Sequence, residues 1–282
     1  MKIGAYDIYP IETGTFYLDG GSMFGIIPKV LWEKTNPADD RNRVKLSARC
    51  LLIIGNNRKI LMDVGNGIKV NQKFIDLYGY DYSQYDLNSS LKNYNVNPED
   101  ITDVIVSHLH FDHAGGSTIK ENGILKPAFS NARYHVQRIQ WENALEPTER
   151  DRASYNPDDY RCLNDYGALN LIEGEIEIFP QITVHVSNGH SPGLQMLKIT
   201  DGKKTLFYPA DLIPFTSHIP LPYIMGFDLR PLETLGDKKK YLKNAVDENW
   251  IIIFEHDPIT IAGNVKLTEK GYAFDPSVNY YW

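Results

Sequence analysis

His108-Leu109-His110-Phe111-Asp112-His113-Ala114-Gly115-Gly116 stands directly after Asp103 to Ser107, a short run of the kind that forms a strand. Three imidazoles and a carboxylate fall within six positions, and small residues able to open a helix follow at once. His108 and His110 are two apart, so in extended chain they face the same side. Once the chain turns, Asp112 and His113 reach a different point. One short loop can therefore serve two metal ions, and neutral imidazole with carboxylate suits a divalent first-row metal.

Further chemistry-bearing residues lie downstream, each just past a predicted strand end, where α/β proteins commonly build sites. His190 follows the strand Ile182 to Val186 within Gly189-His190-Ser191-Pro192-Gly193. Asp211 follows Thr205 to Tyr208, and His256 follows Trp250 to Phe254. Upstream, Ala48 to Ile54 and Lys59 to Val64 flank Gly55-Asn56-Asn57-Arg58, a hairpin signature. A second hairpin is expected around Asp201-Gly202, between Gln195 to Ile199 and Thr205 to Tyr208. Val70 to Tyr78, Ser89 to Tyr94, Arg138 to Leu145 and Pro231 to Val246 read as helices; Arg133 to Val136 and Glu175 to Phe179 read as strands. No composition shift marks a linker. The expectation is one domain over 1–282, with a polar surface insertion at about 138–165.

Composition sets the outer bounds. The chain has 282 residues, 29 Lys and Arg against 36 Asp and Glu, and a net charge of −7. That acidic balance disfavours a nucleic-acid partner, because sequence-independent affinity for phosphates needs clustered cations. Lys238-Lys239-Lys240 reads as a solvated helix face. The apolar runs are too short to span a membrane, and the start of the chain lacks a signal-peptide core, so the expected location is the cytoplasm. With only 2 cysteines, Cys50 and Cys162, a disulfide framework and a four-cysteine metal site are excluded. Of the 8 histidines, His135 and His185 lie in alternating strand patterns and read as ordinary half-buried residues.

The ordered set His108-x-His110-x-Asp112-His113, His190, Asp211, His256 resembles the metallo-β-lactamase superfamily over most of the chain. Asp63, in Leu61-Met62-Asp63-Val64-Gly65, matches the family's early strand-end aspartate, which supports the metal loop from beneath. The resemblance implies an α/β fold, an αββα four-layer sandwich of two mixed β-sheets flanked by helices. It implies that His108, His110 and His190 hold one divalent ion, that Asp112, His113 and His256 hold a second, and that Asp211 bridges them. Zinc is the first expectation, with iron or manganese accepted by the same donors. Two such ions a few ångströms apart lower the pKa of a shared water. The implied reaction is attack of a bridging hydroxide on an ester, lactone or related electrophile, with Asp112 as first candidate to pass a proton to the leaving group.

Within the superfamily, Gly20-Gly21-Ser22-Met23-Phe24-Gly25 and Ile27-Pro28-Lys29-Val30-Leu31-Trp32 are similar to the branch of N-acyl homoserine lactonases and of organophosphate hydrolases related to methyl parathion hydrolase. Met23, Phe24, Phe215 and Tyr223 are candidates for an apolar substrate wall, alongside Trp32, Met225 and Phe227, and His218 for a polar substrate contact. A homodimer contact is the alternative use of an exposed loop bearing Met23, Phe24 and Trp32. One departure stands out: those lactonases carry a tyrosine close behind the bridging aspartate, whereas here Leu212-Ile213-Pro214-Phe215 follows Asp211. Tyr223 and His218 are the candidates to replace it.

The alternatives are a glyoxalase-II-like thioesterase, a phosphotriesterase and, outside enzymes, a noncatalytic metal-binding protein. A thioesterase of that kind should carry a basic C-terminal helical extension, and little chain follows His256. A flavodiiron oxidoreductase has glutamate where His110 stands. β-CASP nucleases and ribonuclease Z need a large insert or exosite and a basic face.

Overall fold

Asn56 and Asn57 both take positive φ, 49° and 57°, and the strands on either side pair as Gly55↔Arg58 and Ile54↔Lys59. This is the two-residue hairpin that asparagines favour, because their short side chains tolerate the left-handed region. A computed structural model describes residues 1–278 and 280. In chain order its strands are β1 (Lys2–Ile3), β2 (Tyr6–Asp19), β3 (Arg43–Gly55), β4 (Arg58–Met62), β5 (Asp103–Ile105), β6 (Thr118–Glu121), β7 (Ile124–Pro127), β8 (Arg133–Gln137), β9 (Leu169–Ile172), β10 (Ile176–Phe179), β11 (Ile182–Ser187), β12 (Leu194–Thr200), β13 (Thr205–Tyr208), β14 (Ile251–Ile253), β15 (Ala262–Thr268) and β16 (Gly271–Asp275). They form two mixed sheets of seven strands, ordered β1-β2-β3-β4-β5-β8-β9 and β10-β11-β12-β13-β14-β15-β16, and the separate hairpin β6-β7. The expected α/β class and the two mixed sheets with helices are present.

The chain divides into two compact units. The first comprises Met1–Thr15 and Ala48–Gly174; the second comprises Phe16–Ser47 and the chain from Glu175 onward. In the first, β4, β5 and β8 pair in parallel. Their residues Leu61, Val104, Tyr134 and Val136 enter one buried cluster with Val106, just past β5, and with Ile11, Leu52, Leu91 and Phe129. Central parallel strands are buried on both faces, which is why they read as continuous aliphatic runs and not as alternating ones.

The second unit is built on an antiparallel meander, β10 to β13, with β14 parallel to β13. A parallel neighbour requires a crossover, and the helix Pro231–Asp247 supplies it. Pro231 occupies its first turn, where a missing N–H costs nothing, and Thr234, Lys238, Tyr241, Leu242 and Ala245 form its buried stripe. At the β12–β13 turn, Asp201 Oδ1 accepts from the N–H groups of Lys203 and Lys204, and Gly202 has φ +83°. Among the described residues no helix is long and apolar enough to cross a membrane.

The stretch 138–165 mixes exposed polar residues with Trp141, Ala144, Tyr155, Tyr160 and Leu163, which belong to the core cluster of the first unit. Its polar groups satisfy one another, as where Asn143 donates to Asp151 and to Tyr155, so burial carries no unmet hydrogen-bonding cost there. The expected exposure of Met23, Phe24 and Trp32 is corrected: all three are buried. A Cβ on Gly20 would lie 2.4 Å from the Trp32 ring, so that glycine lets the indole fold back beneath the Gly20–Phe24 helix.

Lys69 and Asp159 form a buried ion pair at 3.0 Å in the first unit, and the ammonium also donates to Gly115 O. Burial raises the Asp159 carboxyl to about 6 despite the nearby cation. Because that folded value lies above the unfolded one, its contribution to stability is full below about pH 4 and is lost as pH rises through about 6. Lys69→Met strands the carboxylate, so stability should fall by about 3–5 kcal/mol near pH 7.5. The loss should be smaller at pH 5, where the carboxyl is neutral; urea denaturation at the two pH values checks both.

Candidate metal centre

In the first unit, β5 ends at Ile105 and feeds the loop to His110, which caps the one-turn helix Phe111–Ala114. His108, His110, Asp112 and His113 are all buried. Asp63 explains how this loop is held. Its backbone N–H donates to Ile105 O, its Oδ1 accepts the Ser107 N–H at 2.6 Å, and its Oδ2 lies 3.2 Å from His113 Nδ1. It does this at φ +59°, a conformation that aspartate tolerates better than most residues. Gly115 and Gly116 finish the device: a Cβ on either would lie 2.0 Å from Asn66 O or 2.2 Å from Val64 O. Only glycine lets the 64–67 segment lie against the end of the metal-loop helix.

The imidazoles are oriented from behind. Ser107 Oγ is 3.0 Å from His108 Nδ1, which turns His108 Nε2 toward His110 Nδ1, also at 3.0 Å. His113 Nε2 is 3.7 Å from Asp112 Oδ2. Beside Asp112 lie phenols that the sequence reading did not single out. Burial raises the pKa of Tyr78 and Tyr80, and the Asp112 carboxylate adds to it, so both remain protonated. Phe74, Tyr78 and Phe111 pack together there with ring centroids 4.6 to 5.1 Å apart.

In the second unit the other three predicted ligands meet from three strand ends. His190 follows β11, Asp211 lies in the turn after β13, and His256 follows β14. Each oxygen of Asp211 faces one imidazole: Oδ2 is 3.1 Å from His190 Nε2, and Oδ1 is 3.1 Å from His256 Nε2. The far nitrogens are fixed, His190 Nδ1 by Asp228 Oδ1 at 2.9 Å and His256 Nδ1 by Ser47 O at 2.8 Å. Ala210, with φ +48°, is an alanine in the left-handed region, strain of a kind that gathers at functional sites. Asp228 and Ser47 carry no sequence signal; they reach the site from distant segments.

Both units therefore present imidazoles held on one edge and converging, on the other, upon a second imidazole or a carboxylate. Such nitrogen and oxygen donors fit divalent first-row cations.

The candidate substrate residues occupy the second unit. Phe24 stacks on Trp32 at 5.0 Å and on His218 at 4.9 Å, His218 lies 5.4 Å from Phe215, and Tyr223 meets Phe24 edge-on at 6.3 Å. Met23, Phe24, Phe215 and His218 are buried and Tyr223 is half-buried. Burial drives the His218 imidazole down to about 3, so it is neutral, and its Nε2–H donates to Met23 O at 2.8 Å. His135 is bonded to Asp103 and Asn170 in its sheet, and His185 pairs with Glu175.

Comparison with known proteins places this arrangement. An N-acyl homoserine lactonase of Bacillus thuringiensis is 34% identical over 170 residues, 59% of this chain and 60% of that protein; the chain thus spans about 60% of the length of the curated relatives it matches. A probable metal-dependent hydrolase from Staphylococcus aureus superposes with a TM-score of 0.88 at 29% identity, covering 99% of this chain and 100% of the other. An N-acyl homoserine lactone hydrolase, solved with its product N-hexanoyl-L-homoserine at the catalytic metal centre, gives 0.68 at 26% identity, over 92% of this chain and 95% of that one. The family model for the metallo-beta-lactamase superfamily matches residues 44–256, which reach from the start of β3 through every residue of the histidine and aspartate set, and the chain belongs to that superfamily.

Proposed function

We propose that this chain is a hydrolase of lactones or related esters, working with two divalent metal ions. His108, His110 and His190 would hold one ion and Asp112, His113 and His256 the other, with Asp211 a ligand to both. The observation that carries this reading is the Asp211 carboxylate, each oxygen of which faces a separate imidazole Nε2 at 3.1 Å. A carboxylate so placed could serve two ions, one beside each imidazole. Zinc is the ion we assign first, in keeping with a ligand set of imidazole and carboxylate alone.

The bound ions would supply activation of water near neutral pH and polarisation of the ester carbonyl. The chain supplies orientation. Asp63, Ser107, Asp228 and the Ser47 carbonyl each hold one edge of an imidazole, which selects the donor nitrogen on the other. The phenols of Tyr78 and Tyr80, kept protonated beside Asp112, are hydroxyl donors close to that ligand. Lactone substrates are favoured over other electrophiles by the relatives, a lactonase and a lactone hydrolase. A small molecule is the partner this implies, and the cytoplasm is the compartment we assign.

The test is a panel of lactones, aryl esters and phosphotriesters assayed with metal-loaded and chelator-stripped protein. Lactone turnover that disappears on stripping and returns with metal supports the reading; equal turnover in both preparations contradicts it. Because the ligands must be neutral imidazoles, metal should be released below about pH 5–6. Metal analysis after dialysis across that range checks the prediction, and retention of both ions at about pH 4 would count against the ligand set.

A further inference from the structure

Asp228 lies 38 residues beyond His190, in the segment that leads into the Pro231–Asp247 helix, and is buried. One of its oxygens meets His190 Nδ1 at 2.9 Å; the other accepts from the Thr234 hydroxyl at 2.6 Å. Thr234 is itself buried in the first part of that helix and sits so close to the His190 turn that a Cβ on Gly189 would lie 2.2 Å from its Oγ1. The backbone closes the same contact, with Leu229 N–H donating to His190 O and Arg230 N–H to Gly189 O. We propose that Asp228, pinned by Thr234, is a positioning residue that fixes His190 in the tautomer with Nδ1 protonated and Nε2 turned toward Asp211. This inference rests on the metal-centre reading above and extends it to residues outside the ligand set.

The chemistry follows from the two ring nitrogens. A carboxylate accepts only, so opposite Asp228 Nδ1 must carry the proton, and a cation bound at the site would take the Nε2 lone pair in place of the direct contact with Asp211. Thr234 occupies the second carboxylate oxygen, which prevents Asp228 from swinging away. One helical turn on, Lys238 is buried on the same stripe and donates to the carbonyls of Pro220 and Tyr223. The Pro220–Asp228 segment is thus held at both ends by one face of one helix. The positioning of His190 is built into the crossover between β13 and β14.

The experiment titrates Co2+ into the chelator-stripped full chain and its D228N, T234V and T234S variants, following the visible spectrum and competition with a chelator of known affinity. D228N keeps the shape but offers an N–H to His190 Nδ1, favouring the wrong tautomer. It should weaken one of two cobalt equivalents by about 10–100-fold and alter its spectrum, leaving the other equivalent unchanged. T234V should weaken the same equivalent, and T234S should restore it. Thermal melts of the stripped proteins separate this from a packing role, which would lower stability without selecting one equivalent. Parental affinities and spectrum in D228N, with two equivalents bound by the parent, overturn the positioning role alone. A parent that binds no cobalt overturns the metal-centre reading as well.

Discussion

Asp211→Ala should lower lactone hydrolysis by at least ~10³-fold and reduce bound metal below two equivalents, while the protein stays folded. The cause is local to the second unit. Asp211 is the carboxylate on which both His190 and His256 converge, at 3.1 Å each, while Asp228 and the Ser47 carbonyl hold the far nitrogens in place. Removing it leaves two fixed imidazoles with no shared anion, so affinity for a pair of cations falls steeply. Asp211→Asn is the sharper variant. It keeps the volume, but its amide N–H would point at one imidazole lone pair, and a neutral group cannot offset the charge of two cations. Both variants should lose metal and turnover together, as read by elemental analysis and initial rates. Near-native turnover in either would be incompatible with the account.

The second large effect is expected at Asp63, which is fully buried and touches both the backbone and a histidine of the metal loop. Asp63→Ala removes a charge-assisted bond from the Ser107 N–H and leaves alanine at φ +59°. The cost should be about 2–4 kcal/mol in urea denaturation, from a buried donor left unmet together with backbone strain. Asp63→Asn separates stability from function. Asparagine tolerates the left-handed region and still accepts from Ser107, so most of the stability should remain. Its N–H would face His113 Nδ1, however, and metal binding at His113 should fall. A variant that folds like the parent yet binds less metal is the expected result; unchanged metal binding would remove Asp63 from the supporting role.

Local signals were legible in the sequence where chemistry and backbone preference coincide within a few residues. The His108 to Gly116 phrase folds as a loop and a single helical turn because its glycines permit the close approach of Asn66 and Val64. The Asn56-Asn57 turn, the Asp201-Gly202 turn and the helix from Pro231 follow from the same kind of local rule. Nonlocal partners were not legible. Asp228 and Ser47 hold His190 and His256 from segments with no pattern of their own. The long strand β2 is broken in appearance by Pro10 and Gly14, and the polar stretch 138–165 hides its apolar residues among side chains that bond one another. The burial of Trp32 is not local either: its ring fits only because position 20 has no Cβ. In each case a contact partner far along the chain overrides local composition.

The central claim, that two divalent ions held by this histidine and aspartate set carry out the hydrolysis, is tested most directly by titrating Zn2+ into chelator-stripped protein while recording lactone hydrolysis. The account predicts negligible turnover in the stripped protein and full turnover only as the second equivalent is bound. Full turnover in the stripped protein, or saturation well before one equivalent, would contradict it.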